Sequence, residues 1–153
     1  MINLKENEKI LIKDLQDQEK TCMEKYEKYA GLAKDPVLKD LFNTLKSDEE
    51  DHYNSLSQLM TGNVPAVNAE NTGGKEYNPA PSYTGNINSQ DKDNDCFLCT
   101  DSIATEKYVS SAYNFDLFQF GDPDARILLN HIQTEEQNHA EMLYKYKMAN
   151  QMA

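Results

Sequence analysis

Two copies of one short string, Glu49-x-x-His52 and Glu136-x-x-His139, recur in the chain, and each is preceded by a further glutamate, Glu19 or Glu106, at the same 30-residue distance. A spacing of three residues puts the Glu and the His of each string on one face of a helix. In both copies that face is the apolar one. Leu38, Leu41, Leu45, His52, Leu56 and Leu59 share a helical stripe, as do Leu128, Ile132, His139, Leu143 and Tyr146, so the ionisable groups should point into a core. Four buried carboxylates without counter-charge are costly, and two divalent cations would neutralise them formally. Mixed carboxylate and imidazole donors suit iron first and manganese second. A structural zinc site would use cysteine, and calcium does not favour histidine. The expected site is a pair of ions bridged by Glu49 and Glu136, with His52 and His139 as terminal ligands and Glu19 and Glu106 completing the set.

Around these six residues the same pattern suggests supporting groups. Asp48 and Glu135 stand four residues before His52 and His139, on the same helix face, where an acid can accept the outer ring proton of a ligand imidazole. Tyr26 and Tyr113 lie about two turns from Glu19 and Glu106, close enough to hydrogen-bond a bridging carboxylate from across a bundle, with a plain core tyrosine as the alternative. His131 aligns with Thr44 and has no acidic partner in the pattern, so it reads as a surface histidine. Cys22 reads as a core cysteine beside the site. Cys96-x-x-Cys99 falls at the expected start of a third helix, where the dipole would lower a thiol pKa. A single pair cannot supply the four thiolates of a rubredoxin iron centre, and ordinary buried or end-of-helix cysteines are the competing reading.

The elements that must position these groups are helical. Asp35-Pro36 and Asp122-Pro123 each read as an N-cap followed by proline in the first helical position, which fixes two helix starts. Long proline-free segments precede them, about 4 to 33 and about 96 to 120, giving four helices in two hairpins. Residues 61 to 95 are crowded with Gly, Pro, Asn and Ser and read as a structureless connection. Shifting the chain by 87 residues lays the first hairpin on the second without a gap, matching Glu19 with Glu106, Tyr26 with Tyr113, Asp35-Pro36 with Asp122-Pro123, Glu49 with Glu136 and His52 with His139. The expected fold is all-α: one four-helix domain over 1–153, with hairpin 1 about 4–60, a crossover 61–95 and hairpin 2 about 96–149. A 25-residue helix is about 37 Å long, a distance that about 12 extended residues can cover, so the crossover is long enough to run the length of a bundle.

Composition narrows the partners. A length of 153 residues with 39% hydrophobic content is enough for one core. A net charge of −11 disfavours nucleic acid and anionic membrane and favours cations. No stretch approaches the roughly 20 apolar residues of a membrane helix, and the first residues lack the apolar run of a signal peptide. The chain is therefore expected to stay in the compartment where it is made. Three cysteines fit a reducing one.

The stretch 26–34 (YEKYAGLAK), with Glu19 before it and 47–53 (SDEEDHY) after it, resembles the erythrin domain of rubrerythrins, and the Asp48-Glu49-x-x-His52 and Glu135-Glu136-x-x-His139 strings resemble bacterioferritin. A Glu from each of two helices plus Glu-x-x-His from the other two is the ligand inventory of ferritin-like di-metal proteins. The segments 105–114 and 129–146 resemble coat-F-type spore coat proteins. These resemblances imply a ferritin-like bundle with one long crossover and a di-iron centre that reacts with hydrogen peroxide or oxygen, held by Glu19, Glu49, His52, Glu106, Glu136 and His139. Rubrerythrins carry an extra glutamate where this chain has Val109, and a rubredoxin domain that the sequence does not contain, which implies an external electron donor. The coat resemblance implies the alternative: a structural component laid down from the cytoplasm, metal-binding without turnover, alone or in a homo-oligomer or coat assembly.

Overall fold

Asp35 and Asp122 accept hydrogen bonds from the first free amides after their prolines, Val37 N at 3.1 Å and Asp124 N at 2.8 Å, and helices begin there. In the computed structural model, which describes residues 1–67, 71–85 and 89–152, the elements are α1 (Glu6–Leu32), α2 (Pro36–Met60), α3 (Gly73–Glu76), α4 (Ser89–Leu117) and α5 (Pro123–Ala149). The described residues contain no strand.

Side-chain bonds between helices fix their directions. Gln16 donates to Ser57 and Lys46 to Glu27, so α1 and α2 run antiparallel. Tyr29 donates to Asp101 and Tyr113 to Glu19, which makes α1 antiparallel to α4. His52 meets Glu135 and His139 meets Asp48, which does the same for α2 and α5. Because α2 and α4 both oppose α1, they are parallel to each other, and the segment joining them must return along the bundle. It leaves beside the N-terminus, where Ile2 N donates to Gly62 O at 2.9 Å. It passes α5, where Lys145 Nζ donates to Gly74 O at 2.6 Å, and is held at the far end by Ser82 N and Tyr83 N donating to Asn150 Oδ1. Gly74 suits this close approach, since a Cβ there would sit 2.5 Å from Glu141 Oε2 and 3.1 Å from the Asn138 backbone, and both neighbours would have to shift.

Two expected boundaries are corrected. The connection is not wholly irregular, because α3 forms within it, and α4 begins at Ser89, seven residues before Cys96. The reason is Asp95: fully buried, it accepts from Lys34 N and Asp35 N, both at 2.9 Å, in the turn between α1 and α2. The polar run 89–95 is thus drawn into the helix to deliver an acceptor for that turn.

The core has two apolar layers. One includes Ile12, Leu15, Leu56, Leu59, Leu128 and Ile132, and the other Leu38, Phe42, Leu45, Leu98, Leu143 and Tyr146. Residues 19, 49, 106 and 136 lie between them. The outer side of α4 is different, with Phe97, Tyr108 and Phe115 all exposed, as is Phe118 in the turn that follows. Leu128→Ala should therefore cost about 2–5 kcal/mol of unfolding free energy. Phe118→Ala, at a side chain 75% exposed, should change it by less than about 0.5 kcal/mol. Denaturant titration of the two variants measures both. Among the described residues no helix is long and apolar enough to cross a membrane.

Candidate metal centre

Each of the four long helices presents its ionisable residues at mid-length, sealed above and below by the two apolar layers. Glu19, Glu49, Glu106, Glu136, His52 and His139 are all at most 3% exposed. They form two groups of four whose ligand atoms lie within 4.8 Å of one another: Glu19, Glu49, His52 and Glu136, and Glu49, Glu106, Glu136 and His139. Glu49 and Glu136 belong to both groups and the other four residues to one each. This is the arrangement expected for two bridging and four terminal residues.

The imidazoles face the cluster through Nδ1. His52 Nδ1 lies 2.7 Å from Glu136 Oε1 and 3.3 Å from Glu49 Oε2. His139 Nδ1 lies 2.9 Å from Glu49 Oε1 and 3.5 Å from Glu106 Oε1. Their outer nitrogens are held by acids from the opposite half of the chain, which corrects the expected pairing. His52 Nε2 meets Glu135 at 3.2 Å and His139 Nε2 meets Asp48 at 3.1 Å, because α2 and α5 lie side by side and each acid reaches across to the neighbouring helix. Asp48→Asn or Glu135→Gln should weaken metal binding about 10–100-fold without unfolding the chain, measurable by competition with a chelator.

The tyrosines also cross over. Tyr26 OH donates to Glu106 and Tyr113 OH to Glu19, so they orient the glutamates that belong to one group each and not, as expected from the sequence, the shared ones. Burial first, then the nearby carboxylates, push both phenols well above their ordinary value of 10 and keep them protonated donors. His131 lies outside both groups and pairs with Glu135 on its own helix. Cys22 is buried beside the cluster, and burial followed by the surrounding glutamates pushes its thiol up. Cys96 and Cys99 are free thiols in the body of α4, not at its start. Burial and Asp95 raise the Cys99 thiol, so the activation expected from a helix start does not apply to it.

Electrostatically the centre is short of positive charge. Burial, then neighbouring carboxylates, raise Glu19 and Glu136 well above 4.5. Burial opposes the charged form of Glu49 as well, but hydrogen bonds with Glu19, His139 and His52 hold it below 4.5. Burial opposes imidazolium, yet the surrounding acids raise His52 and His139 above 6.5. Four buried oxygens lack a hydrogen-bond partner: Glu19 Oε2, Glu106 Oε2 and both oxygens of Glu136. Glu136 Oε1 is near His52 Nδ1 but not aligned for a bond. Unsatisfied buried acceptors are destabilising in a neutral core, and hard or borderline cations are the ligands this donor set fits.

Among known proteins, no curated sequence and no solved structure matches the chain significantly. A family model, the Coat F domain, matches residues 94–152, which takes in α5, nearly all of α4 and three of the six clustered residues, Glu106, Glu136 and His139. In its second hairpin the chain is similar to the Coat F domain.

Proposed function

We propose that this chain is a spore-coat component built as one ferritin-like bundle that binds two transition-metal ions, iron by preference and manganese next. The observation that carries the metal reading is the mirrored pair of four-residue groups with four carboxylate oxygens lacking any partner. The Coat F similarity over 94–152 supports the coat assignment. Helices paired in two antiparallel hairpins with a long return between them are the arrangement of ferritin-like bundles. Glu49 and Glu136 would bridge the ions, with Glu19, His52, Glu106 and His139 as terminal donors through carboxylate oxygen or Nδ1. Asp48 and Glu135 fix the imidazole tautomer so that Nδ1 stays free for the ion, and Tyr26 and Tyr113 fix the terminal glutamates. The layers above and below keep bulk water away.

A second reading, an oxidoreductase for hydrogen peroxide or oxygen with an external electron donor, is favoured by the presence of all six ligand-type residues at buried positions that leucine would fill in a purely structural bundle. Bound iron would supply the electrons for that chemistry.

Metal analysis after anaerobic reconstitution should find about two ions per chain. Less than about half an ion, or metal held only by Cys96 and Cys99, overturns the metal reading. A fluorescent fusion expressed in sporulating cells should ring the developing spore, and diffuse cytoplasmic signal would remove the coat assignment. Glu136→Leu separates the two readings: if the variant still assembles on the spore and only reaction with peroxide is lost, the centre turns over, and if reduced, metal-loaded wild type is inert to peroxide and oxygen, it is structural.

A further inference from the structure

The two halves of the chain agree at every proposed ligand but differ in the groove outside it. Between α4 and α5 lies a cavity of about 400 Å³ lined by Lys107, Ser110, Ser111, Gln137 and Ala140, with Glu106 and Glu136 among its walls. Those two glutamates are themselves buried and carry three of the four unpartnered carboxylate oxygens. Under the 87-residue shift the matching positions between α1 and α2 are Lys20, Met23, Glu24, Glu50 and Tyr53. Met23 stands where Ser110 does and Tyr53 where Ala140 does, and both of these larger side chains are half-buried. Glu24 and Glu50 are replaced by the neutral Ser111 and Gln137. The α4–α5 side is thus built from smaller and less acidic residues than its counterpart.

Resting on the metal reading above, we propose that the centre is reached through a port between α4 and α5, and that the port passes small uncharged hydroxylic molecules of the hydrogen peroxide class. Size follows from Ser110 and Ala140, which leave the room that methionine and tyrosine take on the other side. Neutrality follows from the outer lining: ahead of the buried Glu106 and Glu136 stand two serine hydroxyls, an amide and one lysine ammonium, which offer donors and acceptors to a small polar solute and no carboxylate to a hydrated cation.

The test borrows the plug from the protein's own other half. Ser110→Met, Ala140→Tyr and the double variant are loaded with manganese(II), and exchange of bulk water with the ion is read from solvent-proton relaxation. The same proteins loaded with iron(II) are mixed with peroxide in a stopped-flow instrument. The port predicts unchanged metal content, loss of the exchanging-water contribution to relaxation, and at least about tenfold slower oxidation by peroxide, graded from the single variants to the double. Ser110→Met keeps the test decisive should Ala140→Tyr impair folding. Full metal content with wild-type water exchange and oxidation rates in Ser110→Met and in any other variant that folds overturns the port and leaves the metal reading standing. Slower metal loading with unchanged peroxide reaction would instead make the groove a cation path and overturn the proposed solute class. A wild type that takes up no metal removes both.

Discussion

Stripped of metal, the protein should melt at least about 6–12 °C lower at pH 8 than at pH 6, while the metal-loaded protein changes little. Glu19 and Glu136 hold protons above their ordinary 4.5, and His52 and His139 above 6.5. Each of these four favours folding fully below its unfolded value, and its contribution disappears as the pH climbs through the raised folded value. Glu49 is the reverse case, lowered in the fold, so its contribution is present above 4.5 and is lost only in acid. Stability of the metal-free chain therefore declines above about 4.5 and more steeply above 6.5. Each retained proton changes stability by about 1.4 kcal/mol per pH unit, so one proton over two units gives about 3 kcal/mol, or about 6–12 °C for a chain of this length. Bound cations would replace those protons, which would remove the slope. Calorimetry with and without a chelator at the two pH values decides it. A chelated protein with equal melting temperatures would mean that the buried acids are not a strained cluster.

Glu136→Leu should abolish binding of both ions and, at pH 8, make the metal-free protein more stable than metal-free wild type by about 1–4 kcal/mol. Glu136 belongs to both groups and neither of its oxygens has a hydrogen-bond partner. Replacing an unsatisfied buried charge by an apolar side chain of similar volume is commonly stabilising. Glu49→Ala should also lose both ions, whereas Glu19→Ala and Glu106→Ala should each lose one. Metal stoichiometry and urea titration of the same samples give the two readouts. Were Glu136→Leu to destabilise the metal-free chain while leaving two ions bound, the carboxylate would be a structural group and not a ligand.

Much of this was legible in the sequence because it is written in local spacing. Asp-Pro is a cap and a first-turn residue within one dipeptide, and both such pairs start helices at the expected residue. Glu49, His52, Glu136 and His139 sit on leucine-rich stripes, and a stripe declares its face, whereas Glu19 and Glu106 are marked by the 30-residue spacing that both halves repeat. What the sequence does not carry is register between helices. The pairing of Asp48 with His139 and of Glu135 with His52 depends on how far α2 is slid along α5, and nothing within either helix specifies it. The start of α4 escaped for another reason: residues 89–95 are polar, and Asp95 is helical because of what it bonds in a distant turn. The groove between α4 and α5 could have been suspected from the repeat itself, since Ser110 and Ala140 break it where Met23 and Tyr53 stand.

Each group of four borrows one glutamate from the opposite hairpin, Glu136 in the first and Glu49 in the second, and each imidazole is braced by the other half's acid. Neither hairpin alone holds a complete set. The centre is in effect a dimer interface folded inside one polypeptide, and the connection through α3 serves to keep the two partners at high effective concentration, on the millimolar scale typical of short tethers. Severed between Gly85 and Ser89, the two pieces would meet as separate molecules, and their association would then depend on dilution and on metal, neither of which matters to the joined chain in the same way.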